Sequence, residues 1–396
     1  MYRIICETDG KIYPLLDLRD NKYIVQNPKL TLELNKTGSL TFYMNLNHPC
    51  YGCIKKITSI ISVLIVRKNG SEEWLYSGRS MTDEEDFYRT GKIECEGILA
   101  FLIDSIVRDY SFKGTPEAYF RYLITQHNAH VGSEKQFQFG TIDLEGIDSN
   151  ETVVRESKQK PNTFAELNSK VIDLFDCYVS ARNVDGVYYI DCVKDIGNTN
   201  TQDIRYGVNL LDLKKTVSAT ELYTVMIGIG ASDQNGNKIS VEVVDDDAVA
   251  LYGRIEGTVE YSDVTQEKNL RTKTIDYLKQ HTGYNRTIEA YAVDLNLVDE
   301  ENPDIRLGYI NVYSEPHGLE EKMLISKMEI DLMNPESSKY TLGLSQSGIN
   351  GNNGISEVKK DIQKISAGSG GTQYLQEDTV PLTDAEISKI IKDATA

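Results

Sequence analysis

The sequence holds five histidines, His48, His127, His130, His281 and His317, and six cysteines. A zinc peptidase commonly carries two histidines one helical turn apart with a glutamate base beside the first. Here His127-Asn128-Ala129-His130 has the shorter spacing i, i+3 and no glutamate between, so it reads as a surface helix end. None of the histidines goes with a G-x-S-x-G or S-x-x-K setting, which leaves a serine hydrolase without support. Cys50-Tyr51-Gly52-Cys53, just after His48, has the spacing of half a zinc knuckle. A closed zinc site needs four ligands, yet no second C-x-x-C exists and Cys6 and Cys95 stand alone, so these read as free thiols. Cys177 and Cys192 flank one expected hairpin and can face each other. In a reducing compartment they pack as small apolar groups. Asp245-Asp246-Asp247 has the chemistry for Ca²⁺, Mg²⁺ or paired carboxylates, and reads more simply as a solvated acidic loop. No phosphate-cradling G-x-x-x-x-G-K-[ST] occurs. The expectation is no catalytic, cofactor or metal set.

The formal net charge of −18 argues against specific nucleic-acid binding, because phosphate recognition relies on clustered Lys and Arg. No stretch approaches the ~20 apolar residues of a membrane span. The longest apolar-rich run, Ile57 to Val66, is broken by Thr58, Ser59 and Ser62 and is strand-sized. Met1-Tyr2-Arg3-Ile4-Ile5-Cys6-Glu7 lacks the apolar core of a signal peptide, so folding in a cytoplasm is expected. Tyrosine is abundant, 24 against nine phenylalanines and one tryptophan. Its large ring and polar tip suit subunit contacts, and suit ordinary β-structure equally well.

The elements that would position these groups are mainly strands. Leu30, Leu32 and Leu34, then Leu40, Phe42 and Met44, alternate with polar residues across Lys36-Thr37-Gly38-Ser39, a hairpin signal. Ser59 to Arg67 and Glu73 to Ser77 form a second hairpin across Asn69-Gly70, and Lys92 to Glu96 gives another strand. The middle changes character. Thr115-Pro116-Glu117 has the N-cap, N1 and first-turn residues of a helix with Phe120, Leu123, Ile124 and His127 on one side. A second helix starts near Thr163, and a hairpin turns at Asn183 to Gly186. Strand returns over 208–232, a helix is expected over Gln266 to His281, and strands resume at Thr287, Leu307, Lys322 and Lys339.

The C-terminal stretch differs again. Gly348 to Gly354 reads as a linker. Ile355, Val358, Ile362 and Ile365 follow the a/d pattern of a coiled coil for about one and a half heptads. Such a stub is too short to be stable alone. It fits copies meeting on an axis set by the globular part, and fits as well an amphipathic helix packed on its own domain. Beyond a second linker, Thr383 caps a helix bearing Ile387, Ile390 and Ile391.

Several segments together resemble the hub proteins of phage and phage-derived tails, a family that includes prophage tail or endopeptidase-tail proteins and the hubs of contractile tails. Leu75-Tyr76-Ser77-Gly78-Arg79, Asp86-Phe87-Tyr88 and the run Cys95 to Ser105 are similar to the family's first domain. Tyr206-Gly207-Val208-Asn209-Leu210-Leu211-Asp212-Leu213 and Tyr252-Gly253-Arg254-Ile255 with Leu270 and Tyr277-Leu278 are similar to its middle. Leu307 to Val312 and Asn334-Pro335 are similar to its closing β-region. The resemblance covers roughly residues 1–345.

The resemblance implies an α+β, mainly β, multidomain hub. Its parts would be a first β-barrel tube domain at 1–105 and an α+β domain at 106–207. A second β-barrel tube domain would be split between 208–245 and 287–345 around a helix-containing insertion at 246–286. Residues 346–396 would supply linker and C-terminal helices. Three copies would set six small barrels in a ring joining a sixfold tail tube to a threefold spike, a closed solution to a symmetry mismatch. The implied partners are two further copies, a distal tail or tail-tube protein above, a spike, fibre or hydrolase below, and a tape-measure protein. The expected place is the virion tail tip, assembled in a bacterial cytoplasm. Longer relatives carry a C-terminal enzyme domain that degrades cell-wall polymers. The short stretch after residue 345 leaves no room for one here, so a non-enzymatic role is expected. A tail-associated cell-wall hydrolase and a carbohydrate-binding tail-tip module are the alternatives.

Overall fold

The computed structural model describes residues 1–85, 90–144, 153–197, 200–232, 236–261 and 264–343. The fold is mainly β. Seven strands come first: β1 (Tyr2–Thr8), β2 (Lys11–Asp17), β3 (Gln26–Glu33), β4 (Ser39–Asn45), β5 (Ile60–Val66), β6 (Glu72–Glu85) and β7 (Thr90–Gly97). The expected hairpins are present: Leu30 pairs with Leu40 between β3 and β4, and β5 pairs with β6 around the Asn69-Gly70 turn. The alternation seen in the sequence is the inside face, with Leu30, Leu40, Phe42 and Met44 all fully buried.

The next group is mixed. It comprises β8 (Tyr110–Gly114), α1 (Pro116–His130), β9 (Gln138–Asp143), β10 (Val153–Ser157), α2 (Thr163–Leu167), α3 (Asp173–Phe175), β11 (Tyr178–Val184) and β12 (Val187–Val193). The Thr115 hydroxyl caps α1 by accepting from the Ala118 amide at 3.2 Å, and Asn162 caps α2 at Ala165 in the same way. A π-helical turn at Asn168–Ile172 joins α2 to α3, so the expected second helix runs on with one wide turn. β11 and β12 pair down to Val184 and Val187 around Asp185-Gly186.

The last group comprises β13 (Ile204–Arg205), β14 (Leu210–Ser218), β15 (Val225–Ser232), β16 (Lys238–Val244), α4 (Asp246–Tyr252), β17 (Glu256–Glu260), α5 (Glu267–His281), β18 (Asn285–Ala292), β19 (Gly308–Ser314), β20 (Leu319–Asp331) and β21 (Lys339–Gly343). The expectation of two separate β-barrels is corrected here. Strands of the first and last groups form one 13-stranded sheet, ordered β14-β18-β21-β20-β3-β4-β7-β6-β5-β1-β2, with β19 and β13 attached beside β20. No ring of pairings closes among the described residues. The reason lies in the 13-residue β20. Along one edge it pairs with β19 over Leu319–Ile325 and then with β3 over Lys327–Asp331. β21 holds its other edge over Leu324–Glu329. Each half therefore stays open and joins the other. β6, at 14 residues, pairs with β5 over Glu72–Arg79 on one edge and with β7 over Gly78–Glu85 on the other.

The cores follow this arrangement. One cluster unites Ile4, Leu16, Leu40 and Phe42 with Ile288, Ile310, Ile325 and Tyr340 from the far end of the chain. A second holds Phe101, Phe120, Leu123, Leu167, Val179 and Ile190. It begins at Ile98, inside the first expected domain, because the 3₁₀ turn Ile98–Asp104 buries its apolar side chains there. Two small clusters lie between α5 and a three-stranded sheet ordered β16-β15-β17. That sheet joins residues on both sides of the boundary expected at 245/246, since β15 and β16 pair with β17 and not with the large sheet.

Gly97 sits where β7 ends and the chain passes to the second core. A Cβ there would lie 1.9 Å from the Thr37 carbonyl oxygen and 3.2 Å from the Tyr76 ring. Gly228 on β15 meets α5 as closely, with Thr274 Oγ1 1.9 Å from an ideal Cβ. The Gly97 clash is with a backbone oxygen and the Gly228 clash with a fully buried side chain, so neither is cheap to relieve. Gly97→Ala is expected to lower unfolding free energy by about 3 kcal/mol, the upper range for overpacking. Urea denaturation checks it, and a loss of only a few tenths would show that Thr37 and Tyr76 yield freely.

Candidate functional site

His127 is fully buried, which corrects its reading as a surface helix end, while His130 is exposed. α1 turns His127 into the second core with Phe120, Leu123 and Ile124. Its Nδ1 lies 2.7 Å from Ser105 Oγ, which in turn lies 2.6 Å from Thr163 Oγ1. Its Nε2–H donates to the Lys135 carbonyl at 3.1 Å. Burial holds the imidazole below its ordinary pKa, so it is neutral at physiological pH. A Ser–His contact of this length is what nucleophilic catalysis uses. Here Ser105 is 3% exposed, the histidine has no carboxylate partner, and both ring nitrogens are bound in the core. The trio ties α1, α2 and the Ser105 turn together. Ser314 and His317 also meet at 2.7 Å, closing their own 3₁₀ turn.

His48 is buried and bonded at both nitrogens. Its Nε2–H donates to the Leu15 carbonyl at 2.9 Å, and its Nδ1 accepts from the Cys50 amide at 3.1 Å. The Cys50 thiol donates to the Pro14 carbonyl at 3.4 Å. The segment around Cys50 thus lies along β2, and His48 has no lone pair left for a metal. Cys53 comes against Cys6 through a thiol hydrogen bond that pushes the Cys53 thiol up, with burial adding to it. All six cysteines are free thiols. Cys177 and Cys192 face each other, as their places on the hairpin suggested, at 3.7 Å between sulfurs. Among the described residues no group of three His, Cys, Asp or Glu side chains is arranged to hold a metal ion.

The acidic run 245–247 is a helix start and not a loop. Asp245 Oδ1 caps α4 by accepting from the Ala248 amide at 2.9 Å, and Asp246 and Asp247 occupy the first turn, where the helix dipole favours negative charge.

Sequence reading missed the ionic groups, most of them partly buried, that join distant segments. Arg79 is 4% exposed and bridges Glu96, at 2.7 Å, to Asp104. Lys135 reaches the same Asp104 at 2.8 Å, and the Arg79 guanidinium lies over the Phe101 ring at 5.4 Å. This network fastens the large sheet to the second core. Arg67 makes a two-pronged contact with Asp304 at 2.9 and 2.6 Å and a further one with Glu73 at 2.6 Å. Arg306 joins both acids, at 2.8 Å to Glu73 and 2.9 Å to Asp304. The group borders an open polar cleft of about 680 Å³. Asp294, buried beneath it, accepts from Gln202 Nε2 and the Asn296 and Ile305 amides. Burial raises its carboxyl above 3.8. No local signal marks these residues, because their partners stand up to 237 positions away.

Ile355, Val358, Ile362, Ile365, Ile387, Ile390 and Ile391, expected at a trimer axis and a spike contact, lie outside the described residues. No helix among the described residues is long and apolar enough to cross a membrane.

Burial alone would raise the Asp104 carboxyl, but hydrogen bonds from Arg79 and Lys135 outweigh it and hold it below the ordinary 3.8. A carboxylate with a depressed folded pKa stabilises the fold above its unfolded pKa, and that stability is lost as pH falls through the folded value. Arg79→Leu should therefore cost about 3–5 kcal/mol at pH 7, the range for breaking a buried pair. The difference from wild type should shrink below pH 3.8 as Asp104 protonates. Denaturant titrations at pH 7 and pH 3 test this. An equal difference at both would show that the ion pair is not the cause.

Residues 197–351 match the family described as prophage endopeptidase tail. In fold, the chain is similar to prophage tail protein gp18 from Listeria monocytogenes EGD-e, with TM-score 0.57 and 16% identity over 92% of this chain and 100% of that one. It is similar to the 43 kDa tail protein of prophage MuSo2 from Shewanella oneidensis, with TM-score 0.60 and 15% identity over 88% and 99%. A tail protein from Neisseria meningitidis MC58 gives TM-score 0.60 and 12% identity over 87% and 97%. No curated protein matches the sequence. The resemblance to phage tail proteins thus holds, over residues 197–351 by sequence and over most of the chain by fold.

Proposed function

We propose that the chain is a non-enzymatic structural component of a phage-type tail tip, a homotrimeric hub that joins the tail tube to a spike or fibre. The observation that carries this is a fold shared over 97–100% of the length of two prophage tail proteins and a third tail protein. The family name mentions an endopeptidase. The groups that a hydrolase would use are otherwise engaged: His127 and His48 are locked in the core, and Asp245 caps a helix. What distinguishes the described residues is bonding between segments, which suits a part that transmits force.

In this reading the two β groups each supply tube-like wall, so that three copies give a pseudo-sixfold ring beneath a sixfold tube. The domains expected at 1–105, 106–207, 208–345 with its insertion and 346–396 keep this order, with Ile98–Asp104 counted with the second and β15–β16 with the insertion. The C-terminal segment carries the spike contact through Ile355, Val358, Ile362, Ile365, Ile387, Ile390 and Ile391. The partners are a tail-tube or distal tail protein, a tape-measure protein and the spike or fibre, and the place is the virion tail. The sugar-binding reading has weaker support, because Tyr206, Tyr284 and Tyr291 are the only exposed aromatics among the described residues. Tyr284 packs edge-on against Tyr252 at 5.5 Å, which leaves no row of open rings for a saccharide.

Light scattering on the full chain should give a trimer mass, and a zymogram on cell-wall polymer should show no clearing. A chain that clears the polymer would replace this reading with the hydrolase. Deleting residues 355–396 should leave the hub soluble but abolish pull-down of the spike. Undiminished pull-down by the truncated chain would remove the C-terminal segment from that role.

A further inference from the structure

The two ends of the 13-stranded sheet are finished differently. At one end, β2 is sealed. Pro14 has no N–H to offer, its carbonyl accepts from the Cys50 thiol, and the neighbouring Leu15 carbonyl accepts from His48. A proline and a covering loop are the usual means of blunting an edge strand. At the other end, β14 pairs with β18 alone among the described strands, and on its second edge the described residues place only the Tyr206–Leu210 bridge at its start. The edge runs nine residues, about 30 Å at the usual strand rise.

Its side chains are as unusual as its backbone. Tyr206, Val208, Leu211 and Val217 are 59%, 64%, 61% and 54% exposed, four of the most exposed apolar residues described, and all fall within twelve positions. Tyr206 bridges to Leu210, so the lead-in residues and the strand lie together. Exposed apolar side chains gathered on an open strand edge mark a docking surface. Its charge runs against that of the chain. Arg205, Lys214 and Lys215 against Asp212 make residues 205–218 net +2, while the whole chain is −18. A surface of this sign is attracted to an acidic partner, and another copy of this chain is one.

We propose that the β14 edge, with Tyr206, Val208, Leu211 and Val217, is the surface through which one copy of this chain binds the next. With β2 sealed, the β14 edge meets a different face of the next copy, a head-to-tail contact, and such contacts close into a ring where the rotation between copies permits. The proposal rests on the ring reading above and names the face that builds it.

The test compares three full-length proteins by light scattering over a concentration series, with thermal melting as the folding control. Leu211→Asp/Val217→Asp alters only exposed side chains on the open edge. Ile12→Asp alters a 62% exposed residue on the sealed strand. Wild type and Ile12→Asp should assemble alike, while the β14 variant should melt like wild type and need at least about tenfold higher concentration to assemble, a loss of about 1.4 kcal/mol. If all three assemble alike, the β14 proposal falls and the ring reading stands. If wild type stays monomeric to about 1 mM, the weak end of specific association, both fall. If Ile12→Asp is impaired and the β14 variant is not, the interface lies at the other end of the sheet.

Discussion

The architecture depends on one strand changing partners. β20 begins beside β19 and ends beside β3, and at the crossing its Ser326 carbonyl accepts from the Leu34 amide at 3.0 Å. A strand has only two hydrogen-bonding edges, so a residue given to β3 is withdrawn from β19. That exchange prevents the last group of strands from closing on itself and fuses it to the first. It also explains the shared core, in which Met328 and Ile330 from β20 are buried together with Leu30 from β3. A fold that joins positions some 300 residues apart must hold that join against the entropy of a long closed loop. Five consecutive residue pairs along β20 and β3 provide the anchorage.

Polar chemistry inside the protein serves the same end. Arg79, Asp104 and Lys135 fasten the sheet to the second core, and Arg67, Asp304, Glu73 and Arg306 fasten the β5–β6 hairpin to the loop before β19. Buried ion pairs add little net stability over a well-packed apolar alternative, but they reject wrong geometries because an unpaired buried charge is costly. For the adaptor role proposed above, fixed geometry would matter more than net stability. The same economy accounts for the residues that looked catalytic. His127 and Ser105, and His48 and Cys50, resemble reactive pairs because short polar contacts are needed wherever chain segments meet in a dry interior.

How much was legible varies by element in a physically sensible way. Hairpins were readable where the period and the turn are local, as at Leu30 to Met44 and Ser59 to Ser77. The α1 start was readable because a cap is a contact within three residues. The facing of Cys177 and Cys192 followed from hairpin register. The fate of His127 was half legible: its helical spacing placed it with Phe120 and Leu123, but its resemblance to a ligand pair drew it to the surface. The Asp245–Asp247 run misled because a helix of seven residues has too short a pattern to stand out from a loop.

The sequence by itself determined the main hairpins, the starts of α1, α2 and α5, the absence of familiar catalytic motifs and the likeness to phage tail proteins, since each rests on residue types and their spacing. Only the tertiary structure decided that the two β groups share one open sheet, that β15 and β16 belong with β17, and that β2 is sealed while β14 pairs with β18 alone among the described strands. Those outcomes depend on which edges meet across hundreds of residues. Alternation tells which face of a strand is buried, and it is silent about which neighbour the edge will choose.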